Sequence, residues 1–346
     1  MTGAEHASLA AETAPDAARD DRSPRRKTYP VPGASRGMRV SVVLCEHTMD
    51  RYDDVVEAAR SVFDQTHDDV ELVLISDGNP DVFERFEAEF GRREDVRTRC
   101  NDRNRGLLVS RNDGADVATG DIVAFLDDDA VAHPEWIERL VAAYEDHDAV
   151  AAGGKMVPMW VDGEPRFLPE EHYYLIGATH RGFGDGVDTP GEVRNTNGSN
   201  ISFRREVFLE LGGFDADIGG RKGDANLQGG ETELCERLHA EYGRGVRYVP
   251  EAEVAHKVFD YRTDPRWLLD RAFWQGYSKR GMEQFVAGSG DEESAFLGRL
   301  LGEFVPGRVW NLLTDPDPVE AKQLVWLLLL TATVGFGYLY GIAKWG

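Results

Sequence analysis

The fold is decided by the stretch Ile122-Val123-Ala124-Phe125-Leu126-Asp127-Asp128-Asp129. Five apolar residues in a row predict a short buried strand, and three carboxylates follow at its end. Carboxylates this close together repel one another unless a cation joins them. Mg²⁺ and Mn²⁺ prefer oxygen ligands and often take one or two carboxylates, with substrate phosphates completing the shell. A solvated acidic turn is the simpler interpretation, and the surrounding sequence discriminates between the two.

On both sides of this stretch, β-branched apolar runs alternate with helix-like segments. Strands are predicted at 39–45, 70–76, 96–100 and 121–126, and helices at 52–64, 82–90, 107–117 and 134–144. Strict alternation implies βαβ units, a parallel sheet and right-handed crossovers. Ligands of such sheets bind at the carboxyl ends of the strands, so the loops at 46–50, 77–80 and 127–133 are expected to line a site.

After residue 150 the alternation ends. Gly- and Pro-rich stretches at 153–169 and 182–199 predict loops and irregular strands that complete a pocket. An amphipathic helix is predicted at 231–242.

The composition is strongly acidic. The 346 residues include 62 Asp and Glu against 39 Lys and Arg, a formal net charge of -23. A surface this anionic repels phosphate backbones, which argues against a nucleic-acid partner. Arg greatly outnumbers Lys, and an acidic, Arg-rich composition suggests a halophilic source. Three scattered cysteines and the lack of an N-terminal signal segment favour reduced thiols on the cytoplasmic side.

The two ends of the chain differ from the predicted α/β domain, which spans 37–260. Residues 1–36 predict a disordered tail. Residues 261–320 predict amphipathic helices that face a membrane, because basic and aromatic side chains alternate within 262–280. An ordinary helix packed on the domain is the alternative. Residues 324–343 carry no charge and could cross about 30 Å of hydrocarbon. They are only moderately apolar, so a transmembrane helix and a buried or interfacial helix both fit.

Other polar residues occupy positions where they could act on a ligand. Asp77-Gly78 ends the second predicted strand, where a carboxylate could accept a hydrogen bond from a base, although Asp-Gly is also an ordinary turn signal. Arg111 could direct its planar guanidinium group at a phosphate or base, or lie on the surface. Glu231, at a helix start, could be a general base, or it could be there only because the helix dipole stabilises an acid in the first turn. His256 could be a metal ligand or a structural imidazole.

In their order along the chain, these motifs resemble glycosyltransferase family 2, whose members have the GT-A fold. The resemblance covers about residues 38 to 260. It is carried by Ser61-Val62-Phe63-Asp64-Gln65-Thr66, Asp77-Gly78, Asn104-Arg105-Gly106 through Arg111, Asp127-Asp128-Asp129 with Pro134, Asn197-Gly198-Ser199-Asn200, Gly212-Gly213-Phe214-Asp215 and 231–238. Within the family, the stretches 169–171, 179–183 and 256–280 are similar to the haloarchaeal glucosyl-dolichyl phosphate glucuronosyltransferases of protein N-glycosylation.

The resemblance implies a GT-A, Rossmann-like nucleotide-sugar fold with a mainly parallel central sheet and C-terminal helices. The implied activity is an inverting, metal-dependent transfer of a sugar, here glucuronic acid, from a UDP-sugar to a lipid-linked (dolichyl phosphate) saccharide. The implied location is the cytoplasmic face of the cell membrane. The resemblance also implies the roles of the site residues. Asp77, Arg111, Asp127 and Asp128 would bind the nucleotide, and Asp129 and His256 would hold Mg²⁺ or Mn²⁺. Glu231 would be the catalytic base, with Glu233 as the alternative.

Other activities stay open from the residues alone. A different family 2 enzyme could use another donor or a polysaccharide acceptor. The run Asp127-Asp128-Asp129-Ala130-Val131 also fits a haloacid-dehalogenase-like phosphatase, although that motif usually opens its domain and three strands precede it here. A scaffold without turnover would have no need of a base such as Glu231. If the donor is a hexuronate, its carboxylate could be bound by one of three arginines: Arg181, Arg204 or Arg221.

Overall fold

A computed structural model describes residues 37–218, 221–222, 225–285 and 291–345. The predicted disordered tail, 1–36, lies outside these residues. The strands are β1 (Val40–Glu46), β2 (Val70–Ser76), β3 (Val96–Cys100), β4 (Ile122–Leu126), β5 (Ala130–Ala132), β6 (Ala151–Trp160), β7 (Gly191–Val193), β8 (Ile201–Arg204), β9 (Arg221–Lys222), β10 (Ala225–Asn226) and β11 (Val246–Val258). The helices are α1 (Tyr52–Phe63), α2 (Pro80–Glu89), α3 (Leu107–Val117), α4 (Trp136–His147), α5 (Arg205–Glu210), α6 (Gly230–Tyr242), α7 (Pro265–Met282), α8 (Asp291–Arg299), α9 (Val305–Thr314) and α10 (Pro318–Trp345).

The centre of the molecule is a mixed β-sheet. Within the described residues its strand order is β3-β2-β1-β4-β8-β6-β11-β5, and β7 also pairs with β11. Strands β1 to β4 run parallel to one another, whereas β8 is antiparallel to both β4 and β6. The predicted α/β architecture, with parallel strands alternating with helices, is therefore confirmed for the first half of the sheet.

The apolar residues of β4 face two hydrophobic layers alternately, as the two-residue period of a strand requires. Ile122, Ala124 and Leu126 pack with the buried side chains of α1, α2 and α4. Val123 and Phe125 point to the opposite layer, formed with α3, α5 and α6. Helices on both faces thus fix β4 in the interior, and its carboxyl end carries Asp127 to the rim of the sheet.

The Gly-rich stretch beginning at residue 153 is not a loop. Of the loops and irregular strands predicted over 153–169, the first part is a strand, because β6 continues to Trp160, and its pairing with β11 shifts register between Val249 and Val254. A Cβ added at Gly153 would lie 2.0 Å from Thr196 Oγ1, and one added at Gly154 would lie 1.8 Å from the Ala252 carbonyl oxygen. These glycines therefore allow close approach inside the sheet, a known alternative to a turn.

The C-terminal helices pack on the sheet domain. Helix α7 lies against α10, with Gly276 of α7 near Val334 and Gly337 of α10 near Phe273. Of the helices in the described ranges, α10 alone is long and apolar enough to cross a membrane. The membrane-facing role predicted for 261–320 and the spanning or associated role predicted for 324–343 stay predictions.

Candidate active site

The predicted site residues lie at the carboxyl ends of three neighbouring parallel strands. Glu46 at the end of β1 is in register with Ser76 at the end of β2, and Leu44 of β1 is in register with Leu126 of β4. Asp77 therefore emerges on one side of β1, and the three aspartates that follow Leu126 emerge on the other. Such a rim is where α/β sheets bind their ligands.

Arg111 joins two of the predicted site residues that are far apart in sequence. This side chain is almost fully buried, and its guanidinium group lies 5.8 Å from the ring centroids of both Phe125 and Phe214. Its Nη2 donates to Asp127 Oδ1 at 2.6 Å, and its Nη1 donates to Glu231 Oε1 at 3.0 Å. Arg111 thus holds two acids at fixed positions, a task that the sequence prediction of a nucleotide contact did not include.

Glu231 and Glu233 have different environments although both lie in the first turn of α6. Glu231 reaches the rim, and its side chain is 25% exposed. Glu233 instead accepts two hydrogen bonds from Arg237, from Nε at 2.5 Å and from Nη2 at 2.7 Å. Glu233 is therefore engaged in a bidentate ion pair within its own helix, and Glu231 is the acid that faces Asp127.

The backbone at residue 198 makes room for Glu231. A Cβ added at Gly198 would lie 2.0 Å from Glu231 Oε1 and 2.7 Å from Arg111 Nη1. The adjacent Ser199 hydroxyl accepts a hydrogen bond from the Asp127 main-chain N–H at 2.9 Å. The 197–200 segment therefore supports both acids that Arg111 joins.

Asp128 and Asp129 form a buried acidic pair with opposite protonation tendencies. Burial and the charge of Asp129 raise the pKa of Asp128 to about 8. Burial alone would raise the pKa of Asp129, but the His256 imidazole and the Arg262 and Arg51 guanidinium groups lower it to about 2. Of these two adjacent buried carboxyls, Asp129 is the one that ionises readily, because the neighbouring cationic side chains stabilise its charge.

Two arginines supply positive charge to this pair. Arg51 Nη1 donates to Asp129 Oδ2 at 3.1 Å, and its Nη2 lies 3.2 Å from Asp128 Oδ2. Arg262 Nη2 donates to the same Asp129 oxygen at 2.9 Å. Arg262 belongs to the stretch 262–280, which the sequence predicts to face a membrane. That prediction is wrong for Arg262, because its guanidinium group points into the site.

His256 lies on β11 beside Asp129. Its Nε2 is 3.3 Å from Asp129 Oδ1 and 3.0 Å from Arg262 Nη1. Arg262 donates to this nitrogen when it is unprotonated, and Asp129 accepts from it when it carries the proton. A neutral imidazole is the form of histidine that ligates metal ions.

Asp77 organises the loop that precedes α3. Its Oδ1 accepts hydrogen bonds from Asn101 Nδ2 at 3.1 Å and Arg105 N at 2.9 Å, and its Oδ2 accepts one from Gly106 N at 2.8 Å. A carboxylate can accept about four hydrogen bonds, so Asp77 keeps capacity for one more donor.

Comparison with known proteins identifies the family. The model of Glycosyl transferase family 2 matches residues 41–212. A Haloferax volcanii protein named glucosyl-dolichyl phosphate glucuronosyltransferase is 48% identical over 306 residues, which cover 88% of this chain and 96% of that protein. The chain belongs to glycosyltransferase family 2. It is a glycosyltransferase, and the phosphatase alternative is thereby excluded.

More distant glycosyltransferases share the fold. A pre-mycofactocin glycosyltransferase of Mycobacterium tuberculosis is 28% identical over 208 residues, covering 59% of this chain and 41% of that protein. The solved mannosyltransferase PcManGT from Pyrobaculum calidifontis, in complex with GDP-Man and Mn²⁺, matches with a TM-score of 0.56 at 14% identity, over 89% of this chain and 88% of that one. At this identity the likeness shows the fold alone, and it confirms the predicted GT-A fold.

The residues of this glycosyltransferase fit a divalent cation. Within the described ranges, no three His, Cys, Asp or Glu side chains form a complete metal cage. A complete cage is not required, because Mg²⁺ often binds through one or two carboxylates plus substrate phosphates. Asp128 Oδ2 accepts no hydrogen bond among the described residues, although Arg51 Nη2 lies 3.2 Å from it, and the guanidinium groups of Arg51 and Arg262 both pair with Asp129. The carboxylate oxygens of Asp128 and Asp129 are the hard ligands that such a cation prefers, and positive charge already lies beside them.

One functional candidate that the sequence analysis does not include has a detectable signal. Arg51 lies in the loop after β1, at the same strand rim that predicted the aspartates. Ser199 lies in the stretch 182–199, which the sequence predicts to complete the pocket. By contrast, Arg204 is no longer a candidate for binding a hexuronate, because its guanidinium donates to the carbonyl oxygens of Ala149 and Tyr144.

Proposed function

We propose that this glycosyltransferase moves a glucuronosyl group from a UDP-sugar to glucosyl-dolichyl phosphate or a similar lipid-linked saccharide. The donor and acceptor classes are supported by the 48% identity to the Haloferax protein, whose length the chain matches almost completely. The chemistry rests on one observation: Arg111 bridges Asp127 and Glu231, which fixes a carboxylate next to the acidic rim.

Glu231 is the proposed general base. It takes the proton of the acceptor hydroxyl while that oxygen forms a bond to the anomeric carbon of the donor. The bond between this carbon and the UDP oxygen breaks in the same step, and UDP leaves with the bonding electrons. Attack and departure occur on opposite faces of the sugar, so the anomeric centre is inverted. Arg111 maintains the direction of the Glu231 carboxylate throughout.

The remaining rim residues bind the donor. Asp77 would accept from the uracil N–H with its free acceptor position, and Asp127 and Asp128 would lie along the ribose. Asp129 and His256 would hold Mg²⁺ or Mn²⁺. When bound, this ion supplies positive charge that offsets the negative charge of the departing diphosphate.

A lipid-linked acceptor requires the enzyme to act at a membrane surface. Helix α10 is apolar and largely exposed, which supports membrane association. The three cysteines, Cys45, Cys100 and Cys235, are all free thiols, which agrees with a catalytic domain on the cytoplasmic face.

A donor panel tests the proposal. Purified full-length enzyme in detergent is incubated with Mn²⁺, a glucosylated polyprenyl phosphate and, separately, UDP-glucuronic acid, UDP-glucose and UDP-N-acetylglucosamine. We expect a product one hexuronate residue heavier by mass spectrometry with the first donor, and little product from the other two. Polyprenyl phosphate without glucose is the acceptor control. Equal transfer from all donors, or transfer to the control lipid, would contradict the proposed substrates.

A further inference from the structure

Helix α10 exposes an apolar face along most of its length. The large side chains on this face lie three, four or seven residues apart, as one side of a helix requires, and are 42 to 67% exposed: Val325, Leu328, Leu329, Phe336, Leu339 and Ile342. Side chains before and within α9 extend the same kind of surface and are 66 to 74% exposed: Leu301, Trp310 and Leu313. We call these residues the outer apolar face. Continuous apolar patches of this size mark a protein or membrane contact.

The opposite face of α10 is fastened to the rest of the molecule from end to end. Near its start, Gln323 Nε2 donates to the Arg166 carbonyl oxygen at 3.2 Å. At its middle, Thr331 Oγ1 lies 3.4 Å from His172 Nε2. Towards its end, the Tyr338 hydroxyl donates to Glu283, at 2.9 Å to Oε1 and 3.0 Å to Oε2. Each turn between these points is therefore in contact with the protein on its inner side.

Helix α7, the main partner of α10, is in turn fixed to the catalytic domain. The Ser278 hydroxyl accepts from the Gln228 main-chain N–H at 3.0 Å. Met282 packs so closely on Gly229, just before α6, that a Cβ there would lie 2.7 Å from its sulfur. Since α6 carries Glu231, the helix pair α7–α10 and the candidate active site form one packed unit.

This packing is incompatible with α10 crossing a bilayer. A spanning α10 would take α7 with it, together with charged side chains on and after α7 that include Arg271, Arg280 and Glu283. It would also place His172 of the catalytic domain at the depth of the hydrocarbon. Charged groups at that depth are strongly disfavoured unless they face a water-filled cavity. Helix α10 is therefore long and apolar enough to cross a membrane, but only one of its faces can contact lipid.

We infer that α10 lies parallel to the membrane plane, with the outer apolar face inserted into a single leaflet. The charge distribution favours a bilayer as the occupant of this face. The whole chain has a net charge of -23, which an anionic membrane would repel. Residues 301–345, which carry the outer apolar face, are nearly neutral by comparison, with four acids, Glu303, Asp315, Asp317 and Glu320, and three bases, Arg308, Lys322 and Lys344. A nearly neutral region with an exposed apolar face is repelled less than the rest of the chain and is suited to contact with a bilayer.

Topology can be tested without reference to catalysis. The full-length chain carrying a protease-cleavable tag after Gly346 is reconstituted into sealed vesicles, and the catalytic domains that face outward are detected by an antibody. We expect external protease to remove the tag from all outward-facing molecules without detergent, because both ends of α10 lie on the side of the catalytic domain. A tag that is cut only after detergent is added would show that α10 spans the bilayer and would overturn the inference.

Vesicle binding tests the outer apolar face itself. Leu339→Lys should reduce the partition of the chain onto vesicles about tenfold, because it places a charge on the inserted face. Ala88→Lys adds the same charge to an exposed position of α2, far from this face in the fold, and should leave partition unchanged. Unaltered partition of L339K would contradict the inference. The inference would also be contradicted if the chain formed a dimer in the absence of detergent that buries this face and does not bind vesicles. Since neither readout requires turnover, failure of the proposed sugar transfer would be recognised separately.

Discussion

The two acids of the first turn of α6 allow a sharp test of the proposed base. Glu231→Gln keeps the shape of the side chain and an oxygen that can accept from Arg111, but it removes the ability to take a proton. Glu233→Gln is the matched control, because it makes the same chemical change two residues away. Any difference between the two variants reports the position of the acid and not the general effect of losing a carboxylate from the helix.

The expected magnitudes differ between rate and stability. General base catalysis is worth about a hundredfold to ten-thousandfold in rate, so kcat of E231Q should fall by that factor, or about 3 to 5 kcal/mol in activation free energy. Glu233 makes two hydrogen bonds to Arg237, and weakening them should cost about 1 to 3 kcal/mol of stability. E233Q should therefore melt at a lower temperature while its kcat stays within about tenfold of the parent.

Release of UDP during transfer, measured in detergent with saturating donor and Mn²⁺, gives kcat for both variants. Thermal unfolding, followed by circular dichroism, gives their stability, and nucleotide binding shows whether the donor site is intact. An inactive but well-folded E233Q, together with an E231Q that retains turnover, would refute the assignment of Glu231 as the base. Comparable turnover of both variants would also refute it.

Two further predictions concern the C-terminal helices and buried histidine. Gly337→Ala should lower the unfolding free energy, measured by chemical denaturation, by about 1 to 3 kcal/mol, because the new Cβ would lie 1.8 Å from the Phe273 carbonyl oxygen. Gly335→Ala is the control: its Cβ would meet nothing within 4 Å, and it should stabilise α10 slightly. Burial lowers the pKa of His172 from 6.5 to about 3, so its contribution to stability is lost as the pH falls below 6.5. At pH 5 the loss is about 2 kcal/mol of unfolding free energy. His172→Gln should therefore reduce the fall in unfolding free energy between pH 7 and pH 5 by that amount, whereas His239→Gln, at an exposed position, serves as the control. An equal fall for both variants would contradict the assignment.

The parallel half of the fold could be predicted because its signals are local. The sequence predicts β2, β3 and α3 at the bounds that the structure has, because β2 is mostly apolar, β3 alternates arginines with smaller side chains, and α3 begins directly after Gly106. The antiparallel half could not be predicted, because β8 inserts between β4 and β6 from a distant part of the chain and its pairing leaves no periodic trace. In β6, Gly153 and Gly154 have the composition of a turn but serve close packing.

The site was predicted in part for a similar reason. The strand-end rule placed Asp77 and the three aspartates on one rim, since it depends only on strand order. The Arg111–Glu231 contact joins residues 120 positions apart and has no sequence signal. The choice between Glu231 and Glu233 did have a sequence signal, because Arg237 lies four residues after Glu233, which is the spacing of a helical ion pair. Arg262 was assigned to a lipid surface because charge alone does not specify where a side chain points.

The most direct test of the account is the binding of UDP measured by titration calorimetry, with and without Mn²⁺, for the parent enzyme and Asp129→Asn. If the acidic rim holds the ion that the diphosphate needs, Mn²⁺ should tighten UDP binding at least about tenfold in the parent, which is about 1.4 kcal/mol, and should have little effect on D129N. Tight UDP binding by the parent in the presence of a chelator, unchanged when Mn²⁺ is restored, would contradict the account.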